Sequence, residues 1–520
     1  MFRMSRTKKM AINSVVGLIC TILNNLLSFV LQAVFIRLLG IEYAGINDLF
    51  TSVLSVLNLV EVGFGNAITF RLYKSIADKD DEKTRLYLAS YRKICYGLAA
   101  FIFAAGMCCI PFLDKLVTSE KTFSEPLWSL FVIVIATSSA SHIFDFKKSL
   151  IDAKQDKYIN IIIGNGCLFA CHGLQILGLV VYKNIYLYLS IKLFTTLVSG
   201  VISGIVSKRK YGIDWKSEDK LSKEEMKTFS KDVGSLAFYK FCRTMDAQID
   251  TFLISKFVDI VTTGIYGRIN MLFQAINDIL GNFNDGMTAG IGDLYASETD
   301  KKRVEKIFYQ SMHFTFFLYG VCIAVLTPFV SPFMKWWINY TLDSKCIYVM
   351  IVNFFIYGMG MNVATFRNSM GLFVKGWKRP AFTALANLVF SIVLTKRLGL
   401  IGTLLGTLIA RMITQVWYDP YLICKYGLNA KPYKYYFRYV FYAGLIFIAS
   451  FGMLQLSNIL PPMDSFVSLL WHGILFAFCS VVFFFAVGFV FPEQKDVLNK
   501  IFGLFKPVFD RIMRKEKSNG

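Results

Sequence analysis

The stretch "FYKFCRTMDAQIDTFLISKF", residues 238–257, is an apolar run interrupted by Lys240, Arg243, Asp246 and Asp250. On a helix, positions three and four apart share a face, so Arg243, Asp246 and Asp250 form one stripe and Lys240 extends it by a turn. A charge at the centre of a membrane helix costs roughly 2.5–3.5 kcal/mol, so the stretch carries roughly 10 kcal/mol before pairing. That face needs a polar lumen. An arginine fork suits phosphate oxygens, while the carboxylates are suited to tune such a site or to carry a coupling cation.

Three further cations lie inside apolar runs: Lys192, Arg268 and Arg411. Lys192 is near a helix end and can snorkel. For Lys240, Arg243, Arg268 and Arg411 the simplest ligand is a phosphate or acidic sugar brought to mid-membrane. Asn24, Asn25 and Gln32, with Thr21 and Ser28, make the first helix polar along one side. Glu61 and the pair Asp278 and Asp285 add acids, so Asp246, Asp250, Asp278 and Glu61 are candidates for coupling to H+ or Na+. The competing reading is that Arg243 pairs with Asp246 one turn away and only holds its helix in place.

No cofactor or metal is expected beyond that coupling ion. The 11 cysteines are scattered through apolar runs without a CxxC, and two thiolates sharing a face, Cys167 and Cys171, are too few ligands. They read as small buried hydrophobes. The histidines (His142, His172, His313, His472) fall on separate helices and read as structural. The "DKD" at 78–80 lies in a solvated loop and reads as chance.

The elements that must position these residues follow from composition. The chain has 520 residues, 55% of them hydrophobic, and 49 are Phe; mean hydropathy is +0.51. About fourteen runs are long enough to cross a hydrocarbon core some 30 Å thick, and only helices satisfy their own backbone there. The predicted spans are 11–36, 44–70, 94–113, 126–146, 158–182, 184–206, 233–255, 260–292, 304–330, 346–366, 380–395, 398–424, 437–460 and 465–491. The first is too long for a signal peptide and lacks its cleavage site. An all-α polytopic membrane protein is expected.

The net charge of +21 invites a nucleic-acid reading, which its distribution argues against. With the N-terminus in the cytoplasm, alternate loops are basic, as in "RLYKSIADKDDEKTRLYLASYRK", whereas "SNILPPMDS" carries no cation. This is the positive-inside pattern, and it assigns both termini to the cytoplasm. The cations then face membrane lipid heads, not nucleic acid.

Sliding the chain against itself places Gly45 on Gly264, Ile46 on Ile265, Asn58 on Asn277 and Asp81 on Asp300, all in one register. The match pairs the second span with the eighth in the same orientation, which predicts parallel six-helix bundles. The expected halves are 1–208 and 229–425, joined by a cytoplasmic linker at 209–228. Residues 426–520 then form two added helices and a basic cytoplasmic tail. "EVGFGNA" (61–67) and "GNFNDGMTAGIG" (281–292) fall at matching depth, making Gly63, Gly65, Gly281 and Gly286 candidate hinges. Close packing by small residues is the alternative.

The polar first helix "NNLLSFVLQAVFIRLLG", the segment "EYAGINDLFTSVLSVLNLVEVGFGNAITFRLYK" and "MDAQIDTFLISKFVDIVTTGIYGRINMLFQAIND" together resemble the Wzx-like polysaccharide flippases. These belong to the multidrug/oligosaccharidyl-lipid/polysaccharide (MOP) exporter superfamily. The likeness spans nearly the whole chain through loose motifs. It implies flipping of undecaprenyl-diphosphate-linked oligosaccharide repeat units across the cytoplasmic membrane by alternating access, for cell-surface polysaccharide. It further implies lumenal cations on the diphosphate, ion coupling, and association with glycosyltransferase or polymerase machinery.

Rival readings are a multidrug or organic-cation antiporter of the same superfamily and a lipid II-type flippase. The first should have a lumen of acids and aromatics, whereas this one has at least as many cations. From another class, a membrane glycan polymerase or ligase would need a sizeable outer loop, and the chain has none. No catalytic residues are assigned, and the protein is read as a non-enzyme.

Overall fold

The computed structural model describes residues 6–59, 68, 71–119, 123–212, 223–297, 301–372, 376 and 378–491. Among them there are helices and no strands. They are α1 (Arg6–Leu39), α2 (Ile41–Leu57), α3 (Asp81–Leu116), α4 (Leu127–Ile143), α5 (Asp145–Ala153), α6 (Lys157–Tyr182), α7 (Ile185–Tyr211) and α8 (Lys223–Phe257). Then come α9 (Ile260–Ser297), α10 (Lys301–Ile338), α11 (Ser344–Ser369), α12 (Arg379–Leu398), α13 (Leu400–Arg411), α14 (Trp417–Leu422), α15 (Tyr433–Ile459) and α16 (Phe466–Gly488). Among the described residues, 11 helical segments are long and apolar enough to cross a membrane. At 35 and 38 residues α8 and α9 also have the length, but they carry the charged stripe and its neighbours.

Local chemistry sets the boundaries. Asp80 caps α3 by accepting from the Lys83 backbone N–H at 3.0 Å. That hydrogen bond, the chief cause, holds the Asp80 carboxyl below its usual range, and the Lys83 ammonium reinforces it. Asn184 caps α7 through the Leu187 N–H at 3.2 Å. Gly399, at φ 62°, makes the tight turn between α12 and α13. The predicted span 126–146 ends in a break at Phe144, after which α5 runs on to Ala153.

The chain divides into two compact units, Met1–Ile279 with Pro380–Thr407, and Leu280–Arg379 with Leu408–Gly520. The division runs through α9, beside Gly281. In the first unit α1 packs on α6, α6 on α7, α3 on α4, and α2 on α8. A core of Ile68, Leu72, Leu88, Tyr91, Cys95, Phe146, Leu150 and Ala153 ties α3 to α5. In the second unit α10 is the hub for α11, α15 and α16. There Phe316 stacks on Tyr442 with centroids 4.0 Å apart and meets Phe484 edge-on at 5.3 Å. Outward rings such as Phe437 (73% exposed) and Phe447 (72%) belong against lipid tails.

Candidate functional site

Three groups of charged and polar side chains in the first unit involve α8 and α9. The first centres on Arg268 of α9, only 4% exposed. Its Nη2 lies 2.5 Å from Asp48 Oδ1 on α2, and Nη1 donates to Gln32 Oε1 on α1. Gly267 makes the room: a Cβ there would stand 1.9 Å from Asp48 Oδ2. Tyr188 of α7, also buried, lies tilted on Phe35 of α1.

The second group gathers the acids of α8 against α12 and α13. Gly402 and Gly406, spaced as small-xxx-small, let these two helices touch: a Cβ on Gly406 would lie 2.3 Å from Ser391 Oγ. That contact aligns a buried ladder. Asn387 Nδ2 donates to Asp246 Oδ1 at 2.9 Å, and Asn387 Oδ1 accepts from Ser391 Oγ (2.8 Å) and Thr407 Oγ1 (3.0 Å). Thr407 Oγ1 also lies 2.6 Å from Asp250 Oδ1, and the Tyr266 hydroxyl donates to Asp250 Oδ2 at 3.3 Å. Thus Asp246 and Asp250 share one network of oxygen donors through Asn387.

The third group is the cations of α8. Lys240 is half-buried, whereas Arg243 is exposed and makes no ion pair among the described residues. The expected alternative, a bond from Arg243 to Asp246, is not formed; Asp246 is held by Asn387 instead.

On α1, Asn24 donates to Asn165 of α6, and Thr21 spends its hydroxyl on the Gly17 carbonyl at 2.9 Å. Asn24 Oδ1 and Asn25 Nδ2 are buried with no hydrogen-bond partner. Asp278, late in the first unit's part of α9, is exposed. Lys192 is exposed too. Glu61, Gly63 and Gly65 lie outside the described residues, as do the side chains of Asp285 and Gly286. The helix α9 itself continues unbroken through 281–292, so the weak point expected there is not an interruption of the helix.

In the second unit Arg411 is half-buried at the end of α13 and makes no ion pair among the described residues. Two π-helical turns follow, 412–416 and 423–428, on either side of α14. Between them Asp419 is buried, with Arg367 Nη1 2.9 Å from Oδ2 and Arg379 Nε 3.1 Å from Oδ1. Sequence reading passed over this triad and over Asp48, Asn387 and Thr407. The signal for Asp419 was present: an acid followed by Pro420 in an apolar run, with arginines at the ends of the neighbouring runs.

Among the described residues no group of three His, Cys, Asp or Glu is placed to hold a metal ion. Three of the four histidines join local bonds, whereas His172 Nδ1 is buried without one. His142 bridges Asp145 and Asn58, each at 3.2 Å, and His313 meets the Tyr442 hydroxyl at 3.1 Å.

Set beside solved structures, this arrangement has the fold of the MOP-superfamily transporters. A structure of the lipid II flippase MurJ in an inward closed conformation matches with a TM-score of 0.67 at 14% identity, covering 91% of this chain and 99% of that one. An inward-facing multidrug resistance MATE family transporter matches with a TM-score of 0.62 at 13% identity, covering 79% and 98%. A MOP-superfamily transporter from Pyrococcus furiosus, described as having a binding pocket of reversed polarity, matches at 0.55 and 14%, covering 81% and 96%. No curated protein sequence matches. A family model described as polysaccharide biosynthesis protein matches residues 10–285, more than half of the chain, and the chain belongs to that family.

Proposed function

We propose that this multi-pass membrane protein flips undecaprenyl-diphosphate-linked oligosaccharide repeat units across the cytoplasmic membrane by alternating access, both termini being cytoplasmic. Membership of the polysaccharide biosynthesis family supports the substrate class. The observation that carries the reading is Arg243, an exposed guanidinium on a membrane helix with no carboxylate paired to it among the described residues. An unpaired cation in that environment is expensive unless an anion visits. A diphosphate headgroup is such an anion, with the polyprenyl tail left in lipid. An organic-cation antiporter has no use for such a residue.

Coupling to an ion is assigned to Asp250. Its carboxylate, the Asn387 carbonyl and the Thr407 and Ser391 hydroxyls are hard oxygen donors of the kind a proton or Na+ takes. The Thr407 hydroxyl now satisfies Asp250, so an ion would replace that bond.

The test is a deletion strain carrying the gene on a plasmid. Without it, lipid-linked repeat units should accumulate facing the cytoplasm, and the wild-type gene should clear them. Accumulation of lipid II in place of repeat units would shift the assignment to a peptidoglycan-precursor flippase. Formation of sugar bonds by the purified protein would overturn the transporter reading.

A further inference from the structure

Two features of the first unit converge at the end of the bundle that carries the α1–α2 and α8–α9 connections. First, α2 and α9 cross there in near-contact of backbones. A Cβ on Gly45 would lie 2.1 Å from the Ile260 carbonyl oxygen, and one on Gly264 would lie 2.6 Å from the Ile41 carbonyl oxygen. The register that places Gly45 on Gly264 also places Ile41 on Ile260, so the contact is reciprocal between the two sequence repeats. It has the form of a contact across a two-fold axis, where the same patch is used twice.

Second, the reciprocity fails one turn further along. The same register puts Asp48 on Gly267. Instead of meeting its own counterpart, Asp48 enters the space that Gly267 leaves and takes Arg268 at 2.5 Å. Gln32 of α1 closes the other side of the guanidinium. Arg268 is buried and Asp48 half-buried, and the pair is only partly satisfied, since Arg268 Nε and Asp48 Oδ2 have no hydrogen-bond partner. A charge pair held at one point, with a donor and an acceptor left over, is poised to be exchanged.

A strap lies at the same end. The Thr118 N–H donates to Ser255 O at 3.1 Å, Ile260 N–H donates to Thr118 O at 3.0 Å, and Thr118 Oγ1 donates to Lys256 O at 2.8 Å. The segment after α3 is thereby stitched to the α8–α9 turn.

We infer that the Asp48–Arg268–Gln32 cluster and the Gly45/Gly264 crossing form a latch that holds the two sequence repeats together at this end. The charge pattern assigns this end to the outside. Arg268 is thus a gate residue in this state, where its guanidinium is occupied by Asp48, and Arg243 is the cation open to ligand. The inference rests on alternating access, because a latch between repeats matters only if the repeats part there.

The test is labelling of a Ser28→Cys variant, one turn from Gln32 on α1, by a membrane-impermeant maleimide added to intact cells. The same protein without that cysteine gives the background from its native thiols. Asp48→Asn should raise the labelling rate roughly tenfold, the response to losing one partner of a buried charge-assisted bond. Gly264→Ala drives the α2–α9 crossing apart by a separate route and should raise it as well, whereas Gly97→Ala, which meets nothing, should not. Labelling unchanged in both Asp48→Asn and Gly264→Ala overturns the latch. Faster labelling in cells that never accumulate lipid-linked repeat units would keep the latch and reject the substrate assignment.

Discussion

Arg243 and Arg268 belong to consecutive helices of one unit, and the chain treats them in opposite ways. Arg268 is sunk among α1, α2 and α9 with a carboxylate and an amide on its guanidinium. Arg243 stands exposed, and the nearest acid along its helix, Asp246, bonds to Asn387. The second unit repeats the first pattern at Asp419, where two arginines share one buried carboxylate. A buried arginine matched to an acid is committed to structure or to a conformational state. One left exposed, with no acid paired to it among the described residues, is the cation we assign to a ligand.

The contrast can be broken at several strengths. The largest effect is expected at Asp419. Asp419→Ala leaves Arg367, 2% exposed, and Arg379 facing each other without their shared anion, and should cost about 3–5 kcal/mol. A large fall in the melting temperature of the detergent-purified protein would register it; an unchanged one would show that the triad is not a structural tie. Next is Gly406→Ala, whose Cβ would press on Ser391 at 2.3 Å. Overpacking of that kind costs about 1–3 kcal/mol and should shift Asn387 off Asp246 and Thr407 off Asp250, weakening the dependence of transport on the ion gradient. A variant that melts earlier yet keeps normal ion dependence would separate the ladder from coupling.

The smallest effect belongs to the Asp80 cap. Its carboxyl is held below the usual range, chiefly by the Lys83 N–H. A depressed folded-state pKa gives stability that is present above the unfolded value and lost as pH falls through the folded one. Thermal unfolding followed between neutral and acid pH should therefore show a slightly flatter acid limb in Asp80→Asn than in wild type. Identical limbs would mean that the cap carries no measurable share.

Most of the architecture was legible because lipid imposes a simple rule. Apolar runs must be helices, so their existence and order followed from hydropathy, whereas their ends are set locally: α3 begins at Asp81 behind its Asp80 cap, well before the expected 94, and Gly399 makes the turn between α12 and α13. The register of Gly45 on Gly264 was legible too, and the two residues meet across one crossing. The pairings were not. Asp48 and Arg268 are far apart in sequence, as are Asp250 and Thr407, and no local spacing marks one as the other's partner. Thr403, Thr407 and Ser391 carry no mark in the sequence, since a hydroxyl that bonds across helices looks the same there as one that bonds its own backbone. The three-residue spacing of Arg243 and Asp246 gave a false lead, because Asn387 from α12 took the acid.

The decisive measurement compares Arg243→Ala with Arg268→Ala in the complementation strain, reading repeat-unit export and the melting temperature of the purified variants together. Arg243→Ala should melt no lower than wild type, because it strands no acid, yet lose export roughly tenfold or more. Arg268→Ala should be destabilised by about 3 kcal/mol, because it strands Asp48. Normal export by a well-folded Arg243→Ala protein would contradict the assignment of that cation to the substrate.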